Sequence, residues 1–115
     1  MQQKLSVLGA LLLWAATGLA AQRLPATKTF TGAISDSACG LHHMMPGASA
    51  QNCTLECVGM GAKFVLANQS PRRVYGLSDQ AAARPYAGER VKVTGNLKGR
   101  VIQVTSIQPI APASK

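Results

Sequence analysis

Three cysteines and two histidines fall between Cys39 and Cys57, and the remainder of the 115-residue chain has no other Cys or His. The segment begins Asp36-Ser37-Ala38-Cys39-Gly40-Leu41-His42-His43-Met44-Met45, crosses a stretch of small and polar residues, and closes on Cys53-Thr54-Leu55-Glu56-Cys57. Thiol, imidazole and thioether are the donor types that soft and borderline metal ions take. Cys39, His42, Cys53 and Cys57 give Cys-x2-His followed by Cys-x3-Cys, a set of four ligands suited to tetrahedral zinc. A structural zinc site supplies on the order of 10 kcal/mol to a small domain. Met44 and Met45 would add thioether sulfur and tilt the choice toward Cu(I), so the implied ion is zinc or copper.

The neighbouring residues divide between ligand and ordinary roles. One turn of chain carries Cys39 and His42 to the same side, which makes His42 the imidazole ligand and leaves His43 pointing away. Met44 and Met45 serve equally well as flexible filler beneath a loop. Asp36 fits best as the cap of the turn leaving the first strand, and otherwise as an oxygen ligand or as an acceptor orienting His42.

The same sulfurs compete for a disulfide. On a helix, Cys53 and Cys57 stand at i and i+4, with Cβ atoms about 5 to 6 Å apart. A disulfide requires about 3.5 to 4.5 Å. These two are poorly placed to pair with each other, so Cys39 is one partner of any bridge, to Cys53 or to Cys57. Such a bridge closes a loop of roughly 15 to 19 residues and stabilises by about 3 kcal/mol in the chain-entropy model. One thiol is left over, and metal ligation accounts for it where a bridge does not.

The start of the chain reads as an export signal: Lys4, then apolar residues from Leu5 to Ala16, then Gly18-Leu19-Ala20 as a small-residue cleavage site. No cysteine stands there to take a lipid anchor. Residues 1–21 are expected to be removed, giving a soluble periplasmic or extracellular protein without a transmembrane segment. Eleven of the twelve Lys and Arg residues and all four acids remain, a net charge of +7. Export argues against nucleic acid as the partner of that charge and for an envelope component, a protein or another polyanion. Four acids leave little for acid-base hydrolysis, and there is no nucleophile elbow, phosphate loop or dinucleotide fingerprint. The Cys-x3-Cys spacing departs from the Cys-x-x-Cys of thiol oxidoreductases, so a binding or structural role is expected rather than a redox one.

The elements that must position the cluster are short strands. Thr29 to Ser35 alternates, with Phe30 and Ile34 on one face and Gly32 marking a close backbone approach. Asn52 caps a short helix through Val58 that Gly59 and Gly61 end. Ala62 to Ala67 forms a second strand, and the turn Asn68-Gln69-Ser70-Pro71 leads to a third, Arg73 to Leu77. Ser78 or Asp79 caps a short alanine-rich helix stopped by Pro85 and Gly88. Val91, Val93 and Leu97, then Val101, Ile102, Val104 and Ile107, form a terminal hairpin across Lys98-Gly99. The expectation is a mainly β, small five-stranded OB-like barrel, with one short helix between strands one and two and another between strands three and four. It occupies residues 29–108, with flexible segments at 22–28 and 109–115.

The run Gly32-Ala33-Ile34-Ser35-Asp36-Ser37-Ala38-Cys39-Gly40-Leu41-His42, then Cys53 and Cys57, Gly61-Ala62-Lys63-Phe64-Val65-Leu66, and Val91-Lys92-Val93-Thr94-Gly95, resembles a group of small exported bacterial proteins of unknown function. The resemblance spans nearly all of the chain after the signal. It implies export and an OB-like β-domain distinguished by its cysteine and histidine segment, and it implies no activity. In OB folds, ligands meet the face of strands two and three, between the loop joining strands one and two and the loop joining strands four and five. Here the first loop is the cysteine segment and the second carries Lys98 and Arg100.

Overall fold

A computed structural model describes residues 27–43 and 47–110. Residues 1–26, which include the segment expected to be an export signal, residues 44–46 with Met44 and Met45, and the last five residues lie outside the described residues. The chain is mainly β: β1 (Lys28–Asp36), α1 (Ala50–Gly59), β2 (Phe64–Gln69), β3 (Arg72–Leu77), α2 (Gln80–Ala83) continued by a 3-10 turn (Arg84–Tyr86), β4 (Arg90–Lys98) and β5 (Val101–Pro109). Among the described residues no helix is long and apolar enough to cross a membrane.

The five strands close on themselves in the order β1-β2-β3-β5-β4. β1 pairs antiparallel with both β2 and β4, which places Ile34 opposite Leu66 and Phe30 opposite Val93. The β4–β5 hairpin turns at Gly99, whose φ of +60° suits a residue without a side chain. Closure depends on a short parallel seam, Gly76 with Val101 and Leu77 with Ile102. Two bonds, Ser78 N–H to Ile102 C=O at 3.0 Å and Val104 N–H to Ser78 Oγ at 2.9 Å, extend that seam. Inside the ring Ile34, Phe64, Leu66, Leu77, Val91, Val93 and Ile102 form the core, with Ala83 and Ala87 packed against them. Burying an aliphatic side chain of this size contributes about 1.5 to 3 kcal/mol.

Several boundaries differ from expectation for local reasons. Ser49, not Asn52, caps α1: its hydroxyl accepts from Asn52 N–H at 3.1 Å, and the helix begins at Ala50. Both residues are good caps, and Ala50 and Gln51 are adequate helix formers, so the earlier start adds a turn. Asn68 and Gln69 belong to β2, since both pair with β3, and only Ser70-Pro71 is left for the turn. α2 ends at Ala83, ahead of Pro85, and the separate 3-10 turn Arg84–Tyr86 carries the chain through Pro85. At the end of the domain, β5 includes Pro109, and Ile110 N–H donates to Arg90 C=O at 3.0 Å.

Two tethers set where α1 lies. Gly88, at φ +78°, leaves no room for a Cβ, which would meet the backbone of Ala50 and Gln51 in the first turn of α1. At the other end, Ala62 N–H donates to Cys57 C=O at 3.0 Å. The buried residues of α1 are Cys53, Thr54 and Cys57, while its larger apolar residues Leu55 and Val58 pack against the core half-buried.

Candidate metal centre

The centre is built where β1 ends against α1. Asp36, the last residue of β1, is fully buried, and its Oδ1 accepts from Ala38 N–H at 3.0 Å and Cys39 N–H at 2.8 Å. This is the turn cap expected of an Asp-Ser pair. Gly40 N–H donates to Asp36 C=O at 2.8 Å, and Ser35 Oγ–H donates to Gly40 C=O at 2.7 Å. The turn is thereby fixed at four points and returns Cys39 over α1. From the helix come Cys53, fully buried, and Cys57, 8% exposed.

The Cys39 Sγ lies 4.0 Å from Cys53 Sγ and 3.8 Å from Cys57 Sγ. All three thiols are free, with no pair at disulfide distance. A carboxylate oxygen of Asp36 completes the group, and the four ligand atoms all lie within 4.8 Å of one another. The cluster of one Asp and three Cys can hold a metal ion. Asp36 Oδ2 is buried and has no hydrogen-bond partner. A buried carboxylate oxygen left unpaired is costly, so this atom stands out in a domain where its twin carries two bonds. Thr54 Oγ1 is likewise buried without a partner.

Without a cation the Cys57 thiol resists ionisation. Burial, a hydrogen bond with Cys39, and the negative charges of Asp36 and the other two sulfurs push Cys57 up from 9.0 to about 12. A thiol in that state is a poor nucleophile, because the thiolate is the reactive form. A bound dication reverses the balance, since it deprotonates coordinating thiols outright.

The two histidines lie elsewhere. His42 is exposed and outside the cluster: its Nε2 is 2.8 Å from an Arg72 guanidinium nitrogen. Cys39 and His42 do share a turn, with His42 N–H donating to Cys39 C=O at 3.1 Å, but Gly40 takes φ +58° within it, so the turn is not helical and leaves the imidazole outside the cluster. Leu41 and His42 then pack on the β2–β3 hairpin, where Gln69 Nε2–H donates to Leu41 C=O at 2.9 Å. His43 is exposed and is not part of the cluster. Sequence reasoning named Cys39, Cys53 and Cys57 and held Asp36 as a secondary candidate. The capping role of Asp36 was legible in the Asp-Ser pair, whereas its second oxygen was not, because a residue type does not reveal which lone pairs a turn will use.

No family model matches the chain, and no curated protein or solved structure does either.

Proposed function

We propose that this is an exported, non-catalytic binding protein with an OB-like domain, in which Asp36, Cys39, Cys53 and Cys57 hold a structural zinc ion. The observation that carries the reading is the buried, unpartnered Asp36 Oδ2 beside three convergent thiols. Zinc bound at about 2.3 Å to each sulfur of a tetrahedron spaces those sulfurs roughly 3.8 Å apart. The Cys39 sulfur stands 3.8 and 4.0 Å from its neighbours, close to that edge before any adjustment. Trigonal Cu(I) would accept similar sulfur spacing, but a carboxylate oxygen is a hard ligand and favours zinc. Three thiolates and a carboxylate around Zn²⁺ carry the same −2 formal charge as a four-cysteine zinc site. The amides of Ala38 and Cys39 offset part of that charge through Asp36 Oδ1.

The reading also gives α1 a reason to dock. Leu55 and Val58 pack against the core only half-buried, and the buried positions are Cys, Thr and Cys, so coordination would add to a modest apolar contact. The ring order, with a helical segment between β3 and β4, supports the OB-like description. Export and membership of the group of small exported proteins are supported by the sequence features that suggested them.

A second reading has its own observation: Cys39 stands within 4.0 Å of either helix cysteine, so a modest approach would form one bridge in an oxidising compartment. Native mass spectrometry of protein purified from an exporting host separates the two. The zinc reading expects one bound zinc per chain and three alkylatable thiols after denaturation. A metal-free mass lower by two hydrogens, with one alkylatable thiol, establishes the bridge instead.

A further inference from the structure

On the far side of the same loop, β3 and the β4–β5 turn border an open groove of about 520 Å³. Three of its eight lining residues are arginines, Arg72, Arg73 and Arg100, and none is acidic. Its remaining wall is apolar and aromatic: Leu41, Val74, Tyr75 and Leu97. Val74 and Leu97 are 36% and 43% exposed, more than large aliphatic residues in a domain this small need to be. Tyr75 is backed by Phe30, with ring centroids 5.3 Å apart, which fixes the ring that lines the groove. Arg72 is held by His42 at 2.8 Å and keeps further guanidinium N–H groups for a ligand.

We infer that this groove binds a small phosphate ester, its phosphate held by Arg72, Arg73 and Arg100 and its organic body resting on Val74, Tyr75 and Leu97. Guanidinium groups match phosphate oxygens in pairs, and their planar forks make them better suited to this than lysine. The volume suits one ligand of roughly nucleotide size. Charge complementarity alone would admit any anion; the exposed apolar wall beside the arginines selects one with an apolar or planar body. A membrane surface is the poorer fit, because the arginines line a concavity instead of a projecting face. The inference also gives His42 a place: it positions Arg72. Nothing in it requires a metal to be bound.

Titration of the intact purified protein with adenosine 5′-monophosphate, glycerol 3-phosphate and inorganic phosphate, followed by calorimetry and by amide NMR shifts, tests it. The expected result is saturable ester binding that weakens as salt rises, with shifts concentrated at Leu41, Val74 and Tyr75. Arg72→Gln and Arg100→Gln should each weaken it about tenfold or more, as loss of one charge-assisted contact does. Lys28→Gln, at the start of β1 and outside the groove lining, should change it less than about twofold. All these side chains are exposed, and a matched thermal melt verifies folding. Tighter binding of the adenosine ester than of glycerol 3-phosphate or inorganic phosphate is the expected order; equal binding of all three would show that the apolar wall contributes nothing and would overturn the proposal. No ester binding up to about 10 mM, or equal losses from Lys28→Gln and Arg72→Gln, would overturn the proposal.

Discussion

The loop after β1 serves two regions with opposite chemistry. At Cys39 it faces α1, where a buried carboxylate and three thiols converge away from solvent. Two residues later, at Leu41, it borders an exposed groove where three arginines gather positive potential. The first region is demanding, because it buries an unpaired carboxylate oxygen beside a thiol whose ionisation is pushed up to about 12. The second is undemanding, because exposed guanidinium groups are solvated whether or not a ligand arrives. The difference teaches where each kind of loss should appear: damage to the centre reaches the fold, and damage to the groove reaches only binding.

The largest effect should follow loss of the centre itself. Chelation, or Cys57→Ser, is expected to release the metal and destabilise the domain by at least about 3 kcal/mol, lowering the melting temperature by roughly 12 °C or more. Scanning calorimetry with and without added zinc measures it, and an unchanged melting temperature after complete zinc removal would erase the contrast. Gly88→Ala comes next. The added methyl group would meet the first turn of α1 at a left-handed backbone position, so a loss of about 1 to 3 kcal/mol and weaker zinc binding are expected. Phosphate-ester binding should survive that change.

The dependence on pH sharpens the comparison further. In the metal-free protein, the folded state holds the Cys57 proton up to about 12, whereas an unfolded chain gives it up near 9.0. Its stability should therefore be level below pH 9 and fall as pH rises from there toward 12. The zinc-loaded protein should show the opposite limb, losing stability as acid returns protons to the sulfurs and displaces the metal. Chemical denaturation across pH, with and without zinc, reads both limbs. The smallest effect is assigned to His42→Ala, which should leave zinc content and melting temperature unchanged and weaken ester binding only a few-fold, by freeing Arg72.

What the sequence made legible follows from how local each signal is. The terminal hairpin was plain because Val91, Val93, Ile102 and Val104 alternate on either side of Gly99. The three cysteines were plain because no other thiols compete with them. The seam between β3 and β5 had no such signal: it is parallel, two pairs long, and joins strands separated by a helix and another strand. His42 was misplaced because a spacing rule presumes regular backbone, and Gly40 supplies the one conformation that breaks it. The groove was half visible. Lys98 and Arg100 marked the turn, but only closure of the ring sets Arg72 and Arg73 beside Arg100.

Zinc K-edge X-ray absorption on the metal-loaded protein addresses the central claim most directly. Three sulfurs near 2.3 Å and one oxygen near 2.0 to 2.2 Å, without the outer-shell scattering of an imidazole ring, are the predicted first sphere. A spectrum with imidazole scattering, or one unchanged by Asp36→Ala, would contradict the assignment of Asp36 as the fourth ligand.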